Sequence, residues 1–261
     1  MTPTHSFRRR FAATFLAGVP GVMALSAYVY ATVDPAAVPG GLTRPAYAVA
    51  AAANPLVLLA AACVLGAYTA PRIGFQSYLA ERAEGDATVW SRLRDDLPLA
   101  VGLGVGGAVV VVALDVAFAA FVADDLVAVA DPGTVGDVLA YAPVRFLYGG
   151  VTEELLLRYG LMSALAFAGW KLTGSPARGP SAAVVWVAVV VAAVLFGVAH
   201  LPALAASVDL TPALVARTVL LNALAGLAFG WLYWRRSLEA AMVAHAAFHV
   251  PLVALSPVTV A

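Results

Sequence analysis

Glu153, Glu154 and Arg158, in the stretch GGVTEELLLR from Gly149 to Arg158, set three ionisable side chains among residues that otherwise read as membrane interior. One acidic or basic residue at the centre of a membrane helix costs about 2.5 to 3.5 kcal/mol, so three together oppose insertion by about 8 to 10 kcal/mol unless they pair. Glu154 and Arg158 stand four apart, share a helix face and can form an ion pair with the acid N-terminal, the better order. Glu153 points about 100° away from Glu154 and has no neutralising partner at helical spacing. A lone carboxylate in an apolar setting is a candidate general base, with the Glu154/Arg158 pair holding it in place. The blander alternative is that both glutamates face a wet cavity or a helix junction.

Histidine is the second signal. His5 lies in the N-terminal tail, whereas His200 ends the motif Phe196-Gly197-Val198-Ala199-His200 and His245 and His249 share one face of HAAFH. Taken singly, each reads as a packed ring with a satisfied nitrogen. Taken with Glu153, the three imidazoles can accept, donate and stabilise charge in a water-poor pocket, which is what activating water against an amide requires.

The elements that position these residues follow from composition. The chain has 261 residues, 62% of them hydrophobic and 11% charged, with a mean hydropathy of +0.90. That lies outside the soluble globular range and predicts an all-α polytopic membrane helix bundle, since lipid cannot satisfy free backbone groups. Fifteen basic and fifteen acidic residues give no net charge, so nothing points to nucleic acid as a partner. The single cysteine, Cys63, reads as core filling and excludes an intrachain disulfide.

Seven spans of about 20 residues fit, over roughly 11–33, 45–69, 97–122, 151–170, 182–201, 212–234 and 238–255. A short interfacial helix over Tyr141–Tyr148 leads into the fourth, with Gly149-Gly150 able to break or bend it. Arg8-Arg9-Arg10, the arginines of segment 70–96, Lys171, Arg178 and Arg235-Arg236 fall on the inner side, and Asp124, Asp125, Asp131 and Asp137 on the outer side. The expectation is one continuous membrane domain, with helices of unassigned role over 1–137 and a catalytic-type core over 138–261. The N-terminus is expected in the cytoplasm, and the alanine-, valine- and arginine-rich usage suits a prokaryotic cell membrane. In this arrangement the antiparallel fourth and fifth spans bring Glu153 and His200 to one membrane side, and His245 and His249 lie near mid-depth.

The succession EELLLR, FGVAH and GWLYWRRSLEAAMVAHAAFH, over about Val151 to His249, resembles the CAAX-protease and bacteriocin-processing family of intramembrane proteases, also called the type II CAAX prenyl endopeptidase-like family. The resemblance implies that Glu153 with His200 activates the attacking water and that His245 and the residue four beyond it stabilise the oxyanion. It puts Glu154 and Arg158 in the supporting ion pair and makes Phe196 the packing member of its motif. The family usually has asparagine or aspartate where this chain has His249, a substitution that weakens the oxyanion role. The resemblance implies a peptide bond of a membrane-associated substrate, of CAAX or leader-peptide type, with the bilayer and that peptide or protein as partners.

No cofactor is expected. A zinc site of His200, His245, His249 and Glu153 is the alternative donor set, but HAAFH lacks the glutamate of an HExxH arrangement, and ligation by Glu153 would remove the base. Two other function classes stand beside the protease: a catalytically weak scaffold or self-immunity protein, and a proton-coupled transporter. Asp115 and Asn222 are expected to hydrogen-bond to neighbouring helices, and Arg145 and Arg217 to snorkel to the interface. The positive-inside count turns the Glu153 end outward, whereas a CAAX-type substrate would approach from the cytosol.

Overall fold

The computed structural model describes residues 3–127 and 134–260. Among them the regular structure is helical throughout, and six helices are long and apolar enough to cross a membrane. They are Ser6–Thr32, Arg44–Arg72, Val89–Ala119, Ala182–Ala205, Pro212–Arg235 and Leu238–Leu255. The chain is an all-α integral membrane protein. Large apolar side chains such as Leu16, Met23, Val57, Val109, Val116 and Val187 stay exposed on its outer helices, as a lipid-facing surface requires.

In chain order the helices are α1 (Pro3–Thr32), α2 (Arg44–Thr69), the short α3 (Tyr78–Glu84), α4 (Val89–Val127), α5 (Val135–Pro143), α6 (Ser163–Leu172), α7 (Ala182–Ala199), α8 (Leu201–Ala205), α9 (Pro212–Arg235) and α10 (Leu238–Val260). Between α5 and α6 the chain winds as two π-helical stretches, Val144–Glu153 and Leu155–Met162, so that 135–172 form one rod. This rod contains the expected fourth span. It stays outside the six as a less apolar stretch that carries Glu153, Glu154 and Arg158.

Two expectations for this rod need correction. The leading helix starts at Val135, six residues before Tyr141, where the Thr134 hydroxyl and the Asp137 carboxylate cap each other's backbone N–H. Those backbone and hydroxyl donors hold the Asp137 carboxyl below the usual carboxylate range. Gly149-Gly150 do not break the rod. They lie inside the first π-helical stretch, and their missing side chains let α10 approach, a methyl on Gly150 standing only 3.2 Å from Ala246 Cβ.

The same small-residue packing closes the rest of the bundle. α4 lies along α10 and α7 along α9. A methyl on Gly104 would overlap the Ala244 carbonyl, and one on Gly197 the Val219 carbonyl, so both helix pairs run backbone to backbone. α1 and α2 cover the other side of the π-helical rod, with Cys63 buried in the core as expected. α3 begins against α10, where the Glu239 carboxylate accepts from Ser77 Oγ at 2.9 Å, Tyr78 N at 2.8 Å and Leu79 N at 3.0 Å. Of the residues expected outside, Asp131 and the side chains of Asp124 and Asp125 lie outside the described residues, as does that of His5.

Candidate active site

The π-helical rod supplies both glutamates. π turns are rare and recur at functional sites. Glu154 and Arg158 pair as their spacing predicts, Arg158 Nη1 donating to Glu154 Oε1 at 2.9 Å with side chains 0% and 1% exposed. Arg158 is also tied outward: its Nη2 donates to the Gly226 carbonyl at 3.1 Å, and its guanidinium lies 4.9 Å from the Phe196 ring centre and 5.4 Å from that of Phe229. Charge, hydrogen bonds and ring faces together make this buried cation tolerable. Phe196 is buried against the Arg158 guanidinium and the rings of His200 and His245.

His200 is held by the end of its own helix. α7 stops at Ala199, which leaves the carbonyls of its last turn without intrahelical donors. The Phe196 carbonyl accepts from His200 Nδ1 at 2.8 Å. That fixes the proton on Nδ1 and leaves Nε2 with a lone pair.

His245 is held differently. Its Nδ1 donates to Glu154 Oε1 at 2.8 Å, the same oxygen that accepts from Arg158. Its ring stacks on Phe229, with centres 4.6 Å apart, and on His249, 5.0 Å apart. Gly149 faces these rings: a methyl placed there would lie 3.0 Å from His249 Nε2 and 3.7 Å from His245 Nε2. The two Nε2 atoms therefore converge on one spot against the rod, while His249 Nδ1 is buried without a hydrogen-bond partner.

Glu153, His200, His245 and His249 all line one cavity of about 360 Å³, with Phe196 among its walls. Glu153 is half-buried, its neighbour Glu154 fully so. No described residue hydrogen-bonds to the Glu153 carboxylate, so its oxygens can serve water or a substrate within the cavity. The site is thus built from the π-helical rod, the end of α7 and the middle of α10.

Several neighbours were not anticipated. Arg145 lines the cavity, with its guanidinium 5.5 Å from the Tyr141 ring centre. Arg217 pairs with Asp115 across α9 and α4, so Asp115 does bridge helices, and it lines the cavity too. Asn222 also lines it, but donates to Thr218 O of its own helix at 2.8 Å instead of to a neighbour. Phe229 is an aromatic in an apolar span, which no pattern in the sequence marks. The i,i+4 step from Tyr141 to Arg145 and from Arg145 to Gly149 is the signal that could have placed Arg145.

Among the described residues no group of three or more His, Cys, Asp or Glu side chains is arranged to hold an ion.

Residues 135–250 match the family model described as type II CAAX prenyl endopeptidase Rce1-like. The match opens at the start of α5, ends within α10 and contains every candidate site residue. No curated protein and no solved structure matches the chain.

Proposed function

We propose, from the match of residues 135–250 to the Rce1-like type II CAAX prenyl endopeptidase family model, that this chain is an intramembrane endopeptidase acting by glutamate-activated water. The observation that carries the reading is the convergence of Glu153, His200, His245 and His249 on one cavity inside the helix bundle. The substrate is a membrane-associated peptide or protein whose scissile bond reaches that cavity. The bilayer in question is a prokaryotic cell membrane, with the N-terminus in the cytoplasm.

The chemistry follows from which nitrogen carries which proton. His200 Nε2 and the Glu153 carboxylate both present lone pairs to a water molecule. Glu153 takes its proton as the oxygen attacks the carbonyl carbon. The bond from water oxygen to carbon forms, the carbonyl electrons move to its oxygen, and the resulting oxyanion needs donors at the place where it develops. His249 in its Nε2–H form supplies one. His245 has its Nδ1 proton on Glu154, so its Nε2 donates only when that nitrogen carries a proton as well. As the C–N bond breaks, Glu153 returns its proton to the leaving amine. Carboxylate and imidazoles supply every step, and no resident metal is part of the reading.

The test is cleavage of a membrane-tethered peptide library by purified protein in lipid nanodiscs, read by mass spectrometry. Removing a positioned general base typically costs 10²- to 10⁴-fold in rate, so Glu153→Ala is expected to lose activity by about that factor. Equal turnover by both proteins ends the protease reading and leaves the scaffold or transport classes.

A further inference from the structure

A second recess, of about 470 Å³, lies between α1 and α2, lined by none of the candidate site residues. Met23 and Val49 on its rims are exposed, so it opens toward lipid. Its walls are apolar apart from Ser26 and Tyr30, and Ser26 Oγ is already spent, donating to the Ala48 carbonyl at 2.7 Å. Small side chains make the trough, Ala27 on α1 facing Ala48 and Ala52 on α2.

The groove runs along half of the helix pair. Val19 at its deep end is the midpoint of the span Ser6–Thr32, and Leu56 lies near the middle of Arg44–Arg72, whereas Tyr30 and Pro45 stand at the ends of those spans. Eleven residues separate the two levels on each helix, about 16 Å at 1.5 Å per residue. That is half of the roughly 30 Å hydrocarbon core, the depth of one acyl chain in one leaflet. A membrane-spanning helix would need a track along the whole bundle.

A cation stands at the mouth. Arg44 precedes Pro45, its guanidinium lies 5.1 Å from the Tyr30 ring centre, and its Nη2 donates to the Ala31 carbonyl at 2.6 Å. It has no carboxylate partner among the described residues, and its Nε is buried without a hydrogen-bond partner. The acid nearest along the chain, Asp34, accepts from Ala36 N of its own turn at 2.8 Å. An arginine and a tyrosine at a span end sit at headgroup depth. A guanidinium there, with most of its donors unused, matches a phosphate in charge and in geometry.

We propose that the α1/α2 groove binds one phospholipid, with an acyl chain along the groove and the phosphate on Arg44. The site lies outside residues 135–250 and is independent of the endopeptidase reading.

The probe is dioleoylphosphatidylglycerol, titrated onto the full-length, delipidated protein in non-ionic detergent and counted by native mass spectrometry. Dioleoylglycerol keeps the chains without the phosphate, and glycerol 1-phosphate keeps the phosphate without the chains. One retained phospholipid per protein is expected. Dioleoylglycerol should bind about 10- to 100-fold more weakly, the worth of a hydrogen bond to a charged group. Arg44→Gln should lower phospholipid affinity by that same factor, and Arg44→Lys by less. Ala27→Leu, at an exposed position on the groove wall, should displace the chain and lower retention while leaving Arg44 in place. Melting temperatures without lipid show whether each variant folds; if Arg44→Gln does not, Arg44→Lys and Ala27→Leu decide. Equal retention by the unaltered protein, the Arg44 variants and Ala27→Leu overturns the assignment, as does equal binding of dioleoylglycerol, which would make the lipid annular. Competition by glycerol 1-phosphate at the phospholipid's own concentration would indicate a free-phosphate site, and a dimer dissolved by Ala27→Leu would put a second copy of the chain in the groove. Either overturns it as well.

Discussion

His245 Nδ1 donates to Glu154 Oε1 at 2.8 Å, across a sequence separation of 91 residues. The bond joins the middle of α10 to the π-helical rod inside the bundle and decides which nitrogen of His245 faces the cavity. Because the same oxygen accepts from Arg158, the carboxylate serves two donors at once. Glu154 is therefore more than the counter-ion of Arg158. It is the positioning residue for an imidazole.

Breaking this arrangement on one side is expected to cost stability as well as activity. Glu154→Leu leaves a buried guanidinium without its carboxylate, and such losses run about 3 to 5 kcal/mol. The double variant Glu154→Leu/Arg158→Met removes both charges and is expected to recover most of that stability, because replacing a whole buried pair by apolar residues is often neutral. Activity should not return, since His245 has lost its acceptor. Thermal unfolding in detergent and peptide turnover on the same samples separate the two roles; recovered turnover in the double variant would reduce Glu154 to a counter-ion.

Gly149→Ala tests whether the convergence of the two histidines matters. The added methyl stands 3.0 Å from His249 Nε2, so the ring must shift by a few tenths of an ångström. A misplacement of about 1 Å can cost about 100-fold in rate, and a shift of this smaller size is expected to lower kcat on the order of 10-fold with little change in melting temperature. Unchanged kcat would mean that His249 does not act at the Gly149 gap.

The parts of the site that could be read in the sequence are those where a polar residue stands against an apolar background. Glu153, Glu154 and Arg158 were visible for that reason, and the four-residue spacing gave their pairing. The three histidines were visible by scarcity and by motif. The π winding was not, because a register of five instead of four leaves no mark in composition. The place of Arg145 on the cavity wall was not legible, because it depends on α4, α9 and α10 closing around it. The contribution of Asp115 to the cavity was underrated for the same reason, as α4 lies outside the segment that carries the motifs. The all-α class followed from hydropathy, whereas a break at Gly149-Gly150 failed because glycine in a tightly packed bundle marks close approach as readily as a break.

Glu239 offers a prediction away from the chemistry. Its carboxylate caps α3 from α10, 160 residues away in sequence, and takes the first two backbone N–H groups of that short helix. Glu239→Ala leaves those donors and Ser77 Oγ buried without their acceptor, at an expected cost of about 1 to 3 kcal/mol. Faster amide exchange over residues 78–84, with exchange in α7 and α9 unchanged, is the expected signature. Unchanged exchange in α3 would show that other contacts hold it against the bundle.

Orientation in the membrane is open to direct measurement, because both ends of the site-bearing rod expose side chains. Val135 is 43% exposed at one end and Leu172 is 88% exposed at the other. Cys63 is fully buried, so single cysteines at these two positions can be labelled without removing it. The arginine-rich tail and the basic residues Lys171 and Arg178 place Leu172 on the cytoplasmic side by charge bias. A membrane-impermeant maleimide added to intact cells is then expected to modify Val135→Cys and to spare Leu172→Cys, with the opposite pattern in inverted vesicles. That result turns the Glu153 end of the rod toward the outer leaflet and requires a substrate that presents its bond there. The reverse pattern would turn the same cavity to the cytosol, where a CAAX-type tail would reach it.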